Sequence, residues 1–516
     1  MDKNIQMVYT YHNETKHAQH RYARSLGYMD WATQPDPYRT YEDAKQIKLP
    51  LTFDNKTLSY KDIFDENDAS EFSIDTISQF FQFSLGLAAV KSYGGNSWAL
   101  RCNASSGNLQ PSESYILCKD IENIDDGLYH YGVKDHHLEL LAKSTKEIEI
   151  PKDSFIIGLS SIVWREAWKY GERAWRYTQL DCGHALKALE ISAKILGWQI
   201  KVINANNQEI DSLLGLDDKS RFVESESEHS DLLFLVSKAN NSDEIDLKKL
   251  NKSLEKPYNS KANQLSMDWH YWDILEEIEQ SARTIHSDQK IFTSKQTKLR
   301  ACDKESKEVV LKRRSVQMMD KMDALISKKE FETILSSVSI DNPAINLVIF
   351  IHQVEELPSG LYILLGDKKE KEKIQSTLKD SFVWHQVSGE LENLYLLQGG
   401  DFRNTAKIIS CSQDIASESS FSLGMLCEFD EQIKKYGSHR YKELYWNCGA
   451  MGQQLYLEAT SLNLSATGIG CFLDDLLHDL IGIKNTSYQS LYHFTIGRGL
   501  VDTRLTNTEP YEHRKE

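Results

Sequence analysis

At 516 residues the chain exceeds what one core can hold and suits two domains of roughly 200–250 residues each. Apolar residues at 40% and aromatics at 10% describe a globular protein and exclude a disordered one. A net charge of −16 excludes nucleic acid as the main partner, because phosphate binding needs concentrated Lys and Arg. No apolar run approaches the roughly 20 residues that cross a bilayer, and Met1-Asp2-Lys3-Asn4 opens no signal-peptide core. The expectation is a cytoplasmic protein without a membrane partner. Eight cysteines are scattered with no CxxC and no metal-ligand grouping, which predicts reduced thiols and no metal.

In chain order, residues 8–50 are polar and aromatic, with Tyr11, His12, Lys16, His17, His20, Arg21, Arg24 and Trp31. Pro35, Pro37 and Pro50 predict extended pieces, so residues 1–50 read as an arm draped over the domains. From Thr76 to Val90 the apolar spacing of Ile77, Phe80, Phe81 and Leu85 predicts a helix. A turn at Gly94-Gly95, the loop Arg101–Pro111 and strands at Ser114–Cys118 and Leu128–Tyr131 follow. The apolar run Asp231–Val236 closes a first domain at 51–238. Residues 239–310 are polar and read as a surface linker, with an aromatic knot (Trp269, Tyr271, Trp272) and one docked helix near Met267–Gln280. A second domain at 311–505 carries strands at Leu347–Ile351 and Leu361–Leu365, and residues 506–516 read as a charged tail. The expected class is α+β, doubled.

The doubling rests on a repeat. Lys169-Tyr170-Gly171, ten residues and Cys182-Gly183 match Lys435-Tyr436-Gly437, ten residues and Cys448-Gly449 at an offset of 266. The same offset superposes Leu189 on Leu455, Ala193 on Ala459 and Leu196 on Leu462, so each copy reads as a helix buried on more than one side. Ser114–Cys118 with Gly127-Leu128-Tyr129 matches Leu347–Ile351 with Gly360-Leu361-Tyr362 at an offset of 233. Two matches in the same order point to a diverged tandem duplication.

Four segments carry candidate chemistry. In Arg101–Pro111, the short polar side chains of Asn103, Ser105, Ser106 and Asn108 surround Gly107, a set suited to a flat heterocycle or a phosphate and equally to a surface turn. Arg313, Arg314 and Ser315 can grip a phosphate, although paired arginines more often start a solvated helix. Gly468, Ile469 and Gly470 can bring main-chain amides to a ligand ring, and a lone GxG is more often a tight turn. The pairs Lys169-Tyr170 and Lys435-Tyr436 carry groups tunable for proton transfer, in a dipeptide that is more often structural. The halves are complementary. The Ser-Ser-Gly-Asn loop lies in the first, where the second offers only Ser336-Ser337-Val338 and Asn342-Pro343. The Arg-Arg-Ser and Gly-Ile-Gly segments lie in the second. One complete site and one dead one are expected.

These segments, with the N-terminal "YHNETKHAQHRYARSLGYMDWATQPDPY" and the C-terminal "LYHFTIGRGLVDTRL", resemble the FMN-dependent nitroreductase family, in its SagB/ThcOx-type dehydrogenase branch. The resemblance covers nearly the whole chain. It implies two nitroreductase-like domains, each a central mixed or antiparallel sheet wrapped by helices, forming an intramolecular pseudo-dimer with FMN between them. By motif, Arg313 and Ser315 would hold the phosphate and Gln317 would face the pyrimidine edge. Ser105, Ser106 and Asn108 would approach from the other domain, and Gly468–Gly470 would place amides near the reactive edge. Arg498 resembles the C-terminal basic residue near the phosphate, with Arg504 as its competitor. A Lys-Tyr pair in this position removes a proton in azoline dehydrogenases; Lys169-Tyr170 match best and Lys435-Tyr436 nearly as well. The family's loop commonly begins with Pro where this chain has Ala104, and Arg or Lys often stands at Gln317.

The resemblance thus implies an FMN-dependent oxidoreductase acting on a small molecule or modified-peptide azoline, with NAD(P)H as a candidate electron donor stacked on the flavin. The alternative is a catalytically inactive flavin-fold scaffold serving a biosynthetic complex. Further oligomerisation is left open.

Overall fold

The computed structural model describes every residue except Met1, Ser242, Pro257, Asn259, 285–301, 339–343, Lys515 and Glu516. The described residues pack as two units. One is built from Ser25–Gln289, Glu305–Leu311 and Arg504–Glu516, and the other from Met1–Arg24, Lys290–Lys304 and Lys312–Thr503, in each case the described part. Each unit holds its own seven-stranded sheet.

The start of the expected arm is helical, while residues 15–50 hold only the turn Trp31–Thr33 and the strand Lys45–Lys48. Helix α1 (Lys3–Glu14) starts on Asp2, whose side chain accepts from the Asn4 amide at 2.7 Å. The prolines expected to break this region all lie beyond it. Val8, Tyr11 and His12 are buried, and the His12 ring bridges Tyr441 (3.1 Å) and Gln489 (2.9 Å) within the second-sheet unit.

In the first-sheet unit, helix α2 (Ile74–Gln82) opens on a Ser73/Thr76 capping box and stops eight residues before Val90. Leu87–Tyr93 is instead a strand, paired with Asn96–Arg101 across the Gly94-Gly95 turn and with Thr506–Thr508. So short an apolar stretch fits either period, and its strand partners decide it. The charged tail is therefore docked, with Tyr511 fully buried and its hydroxyl accepting from the Leu87 amide at 2.8 Å. The main sheet runs Lys45–Lys48, His137–Lys143, Gly127–Gly132, Ser112–Cys118, Ser154–Ser161, His229–Ser237, Gln199–Val202, antiparallel throughout. Helices α3 (Val163–Tyr170) and α4 (Ala174–Ile195) follow the strand Ser154–Ser161; all of α4 but Lys194 is buried. Gly171, at φ 54, ends α3 in a conformation a Cβ would disfavour, which accounts for the glycine after Lys-Tyr. The supposed linker is partly core: Leu250, Leu254, Tyr258 and Ala262 join the cluster around Tyr41, Leu117 and Leu233. Its docked helix spans Asp273–Ser281 and is accompanied by Leu247–Ser253, while Tyr271 is exposed, so there is no aromatic knot.

The second-sheet unit repeats this order in six strands and takes its outermost strand from a different place in the chain. Its strands run His385–Gln386, Leu394–Gly399, Gly360–Leu364, Ile345–Ile351, Phe421–Glu428, Tyr488–Gly497, Ser465–Ile469, again antiparallel. Even the register recurs: Leu117 faces Leu128 and, at the offset of 233, Phe350 faces Leu361. Helices α5 (Asp430–Tyr436) and α6 (Arg440–Ser461) occupy the places of α3 and α4, with only Thr460 of α6 not buried. Among the described residues no helix is long and apolar enough to cross a membrane.

A buried polar chain fixes α3 to the first sheet. The Arg165 guanidinium pairs with Glu113 and also donates to the carbonyls of Gln110 (2.8 Å) and Asp36 (3.0 Å). The His130 ring bridges Glu113 (3.0 Å) and Glu139 (2.9 Å). Burial alone would raise the Glu113 carboxyl, but Arg165 and His130 hold it down at about 2. Burial likewise pulls His130 down, and its two carboxylates outweigh that, lifting it to about 9. Removing one member leaves a buried charge uncompensated. Arg165→Ala is expected to cost about 3–5 kcal/mol in urea unfolding; a loss below about 1 kcal/mol, the range of a surface pair, would contradict this reading.

Candidate functional site

In the first-sheet unit the Arg101–Pro111 loop is fastened from α4. Asp181, in the middle of that buried helix, accepts the Ser106 amide at 2.9 and 3.0 Å and the Ser106 hydroxyl at 2.9 Å. Ser105 also bonds to it, while its Oγ accepts from the Gln110 amide at 2.8 Å. The Asn108 side chain donates to the Ala99 carbonyl (2.9 Å) and accepts from Gln110 Nε2 (3.0 Å). Asn103 is buried. These side chains thus hold the loop's own shape.

That shape puts Gly107, at φ 58, against the end of α3. A Cβ there would lie 2.6 Å from the Tyr170 hydroxyl and 3.1 Å from Lys169 Nζ. The loop and the first Lys-Tyr pair therefore meet. Both side chains are half-buried, with Lys169 Nζ 5.3 Å over the Tyr170 ring and that ring edge-on to Tyr177 at 4.6 Å. Beneath them, Glu166 stands one helical turn before Tyr170 and beside Asp181, both fully out of water. Burial and then the Asp181 charge raise Glu166 well above the carboxylate range, with Lys169 opposing. Burial raises Asp181 to about 7, against the hydrogen bonds from Ser105 and Ser106. Both carboxyls thus keep their protons to higher pH than an exposed carboxylate does.

In the second-sheet unit, Arg313–Gln317 runs alongside the strand Ser465–Ile469, with Ser315 paired to Ala466. Tyr456 of α6 ties this ladder together. Its hydroxyl lies 2.8 Å from Ser315 Oγ and accepts the Gly468 amide at 2.8 Å, and the buried Arg313 guanidinium lies 5.2 Å over its ring. Arg314 donates to the Arg313 carbonyl (2.7 Å), and Ser315 and Gln317 are exposed. The Arg498 carbonyl accepts from the Asp320 amide at 2.7 Å, and its guanidinium pairs with Asp323 at 3.3 Å. The structure thus sets Arg313–Gln317 beside the strand Ser465–Ile469, which Gly470 follows, with Arg498 bonded just beyond Gln317 at Asp320. Gly468 has a reason of its own, since a Cβ would strike the Tyr492 hydroxyl at 1.8 Å, and Ile469 packs on Met319, Ile415 and Ala416. Arg504 lies in the other unit, 5.6 Å over the Tyr93 ring.

Lys435 and Tyr436 sit differently. Lys435 is exposed, 5.2 Å over the Tyr436 ring, and lines a surface cleft of about 500 Å³ with Lys373, Glu428, Glu431 and Tyr488. One turn earlier stands Gln432, bonded to Glu428 (2.9 Å) and Arg440 (3.0 Å).

Sequence reading missed Glu166, Asp181 and Tyr456. The repeat itself carried the signal: at the offset of 266, Glu166 falls on Gln432, Asp181 on Asn447 and Glu190 on Tyr456. Asn342-Pro343 lie outside the described residues, and Ser336-Ser337 are buried at a helix end. The scattered cysteines also need correction, because Cys411, Cys471 and His17 converge within 4.8 Å.

Residues 310–498 match the model of the nitroreductase family. A stretch of 173 residues is 28% identical to the trifolitoxin-processing protein TfxB of Rhizobium leguminosarum bv. trifolii, covering 30% of this chain and 46% of that protein. Another of 103 residues is 24% identical to a candidate nitroreductase of Methanocaldococcus jannaschii, covering 18% of this chain and 52% of that one. The chain spans about half the length of the curated relatives it matches. The crystal structure of a candidate nitroreductase from Anabaena variabilis superposes with a TM-score of 0.69 at 20% identity, over 96% of this chain and 99% of that one. That likeness spans both units, and the chain is a nitroreductase-fold protein whose residues 310–498 match the nitroreductase family.

Proposed function

We propose that this chain is a flavin-dependent oxidoreductase of the SagB/ThcOx type, binding one FMN and moving hydride to or from a small organic or azoline-type substrate. The observation that carries this reading is the Glu166–Asp181 pair buried behind Lys169 and Tyr170. The other copy keeps Lys435 and Tyr436 but has the amides Gln432 and Asn447 in the acid positions, so only one copy couples its Lys-Tyr pair to groups that exchange a proton.

The second-sheet residues fit the cofactor by their chemistry. Arg313, Arg314 and Arg498 supply cations and the exposed Ser315 a hydroxyl, the donor set a terminal phosphate takes. Gln317, also exposed, offers both a donor and an acceptor to a pyrimidine edge. When bound, FMN supplies a hydride acceptor or donor. The chain's own part is the proton. Loss of hydride from a C–H bond is matched by loss of a proton from the substrate, which Lys169 Nζ takes in its free-amine form or the Tyr170 oxygen in its phenolate form. Asp181, poised near neutrality, and Glu166, held neutral, keep a proton and a negative charge close behind Lys169. A modified-peptide substrate is supported by the likeness to TfxB, and NAD(P)H is the candidate electron source for the reducing direction.

Tyr456→Phe removes the hydroxyl that joins Ser315 to Gly468. It should weaken FMN binding about tenfold, or about 1.4 kcal/mol, by fluorescence titration; an unchanged Kd would remove this ladder from the cofactor site. Lys169→Ala should retain one FMN per chain and lose at least about 100-fold in turnover, the scale of a general acid–base group, while Lys435→Ala stays within about twofold. The opposite pattern transfers the role to the second pair. The acid pair also has a signature in stability. Because Asp181 is raised to about 7 when folded, its proton is held more tightly in the native state. That contribution is full at low pH and is lost as pH rises from about 4 to about 7. The unfolding free energy of the wild type minus that of Asp181→Asn should fall across this window by up to about 1.4 kcal/mol per pH unit; a flat difference would mean that Asp181 is ionised throughout.

A further inference from the structure

Cys411 and Cys471 are 60 positions apart and His17 lies 454 positions before Cys471, yet Sγ, Sγ and the ring nitrogen all lie within 4.8 Å of one another in the second-sheet unit. Cys471 Sγ is 3.7 Å from His17 Nδ1 and 2.6 Å from Cys411 Sγ. The surroundings hold each ligand in place. The His17 amide donates to the Asp474 carboxylate at 2.9 Å, and the Asp474 amide returns a bond to the His17 carbonyl at 3.1 Å. Asp474 is fully buried, and the Tyr22 ring packs on the imidazole at 4.7 Å. Gln413 donates to the carbonyls of Ser410 (2.9 Å) and Cys471 (3.2 Å), tying the two cysteine-bearing segments together. Both thiols are partly exposed, so an ion can reach them from solvent.

We propose that these three residues form a binding site for a thiophilic divalent ion of the Zn2+ class. Two thiolates and an imidazole are a zinc ligand set, and three protein ligands leave a fourth position for water or a further donor. Tetrahedral zinc, with Zn–S of about 2.3 Å and Zn–N of about 2.0–2.1 Å, places S and N about 3.5 Å apart and the two sulfurs about 3.8 Å apart. Cys471 and His17 already stand at the first spacing. The sulfurs reach the second by opening about 1.2 Å, within the range of a χ1 adjustment at Cys411. A disulfide is the competing use of the two sulfurs, but it has no use for a histidine whose backbone is anchored at both its amide and its carbonyl. Bound metal would join three segments distant in sequence, one of them immediately following Gly470.

The test uses the full chain, reduced, desalted without oxygen and titrated with Zn2+ against a chromophoric chelator. One ion per chain is expected, with affinity lowered about tenfold or more in Cys411→Ser, Cys471→Ser and His17→Ala and unchanged in Cys302→Ser, a partly exposed cysteine outside the cluster. Co2+ added to the wild type should give thiolate charge-transfer bands, a readout that needs no variant. In the zinc-loaded chain two thiols should be shielded from a thiol reagent and released by chelator. No stoichiometric ion, an ion indifferent to Cys411 and Cys471, or thiols released only by reductant would each overturn the proposal, the last by showing a disulfide.

Discussion

One carboxyl group in the middle of a buried helix holds the first-sheet site in shape. Asp181 takes both the amide and the hydroxyl of Ser106, and without those bonds an ionised carboxylate would not survive so far from water. The bonds work in both directions: they stabilise the charge and they fix the loop. A loop so fixed presents Gly107 to Lys169 and Tyr170 at a distance where any side chain would collide. The arrangement of loop, lysine and tyrosine is thus one consequence of where a single charge is buried.

The two units show what happens when that charge is withdrawn. They share the order of six strands, the register of the matched pair and the paired central helices, and differ in backbone at the outermost strand and in the small sheet of Leu87–Tyr93, Asn96–Arg101 and Thr506–Thr508. The difference at the central helices is chemical. Gln432 and Asn447 stand where Glu166 and Asp181 would be, and an amide pair needs neither a proton nor a countercharge. Tyr456 stands where the other copy has Glu190, and it organises Arg313, Ser315 and Gly468 through one ring and one hydroxyl. Each unit carries groups that its counterpart lacks.

Much of this architecture was legible in the residues. Apolar runs such as Leu347–Ile351, bounded by Pro and Gly, were strands because their periodicity is local, and the Lys-Tyr-Gly repeat marked both central helices. What escaped depends on partners far along the chain. Residues 1–50 read as an extended arm, but His12 on α1 finds Tyr441 and Gln489. The tail looked solvated, but Tyr511 anchors it beneath Leu87. Asp181 was overlooked because a charge inside an apolar helix reads as a solvated position until its partner on another loop is known. The Cys411–Cys471–His17 cluster has no spacing to read. Comparing the two copies residue by residue was the one local route to the acid pair.

The central claim is that the first Lys-Tyr pair, with carboxyls behind it, is the one that serves the flavin. A crystal structure of the chain with FMN bound tests it most directly. The flavin ring is expected within hydrogen-bonding reach of Lys169 or Tyr170, with Glu166 and Asp181 beneath them; a ring seated against Lys435 and Tyr436 would contradict the account.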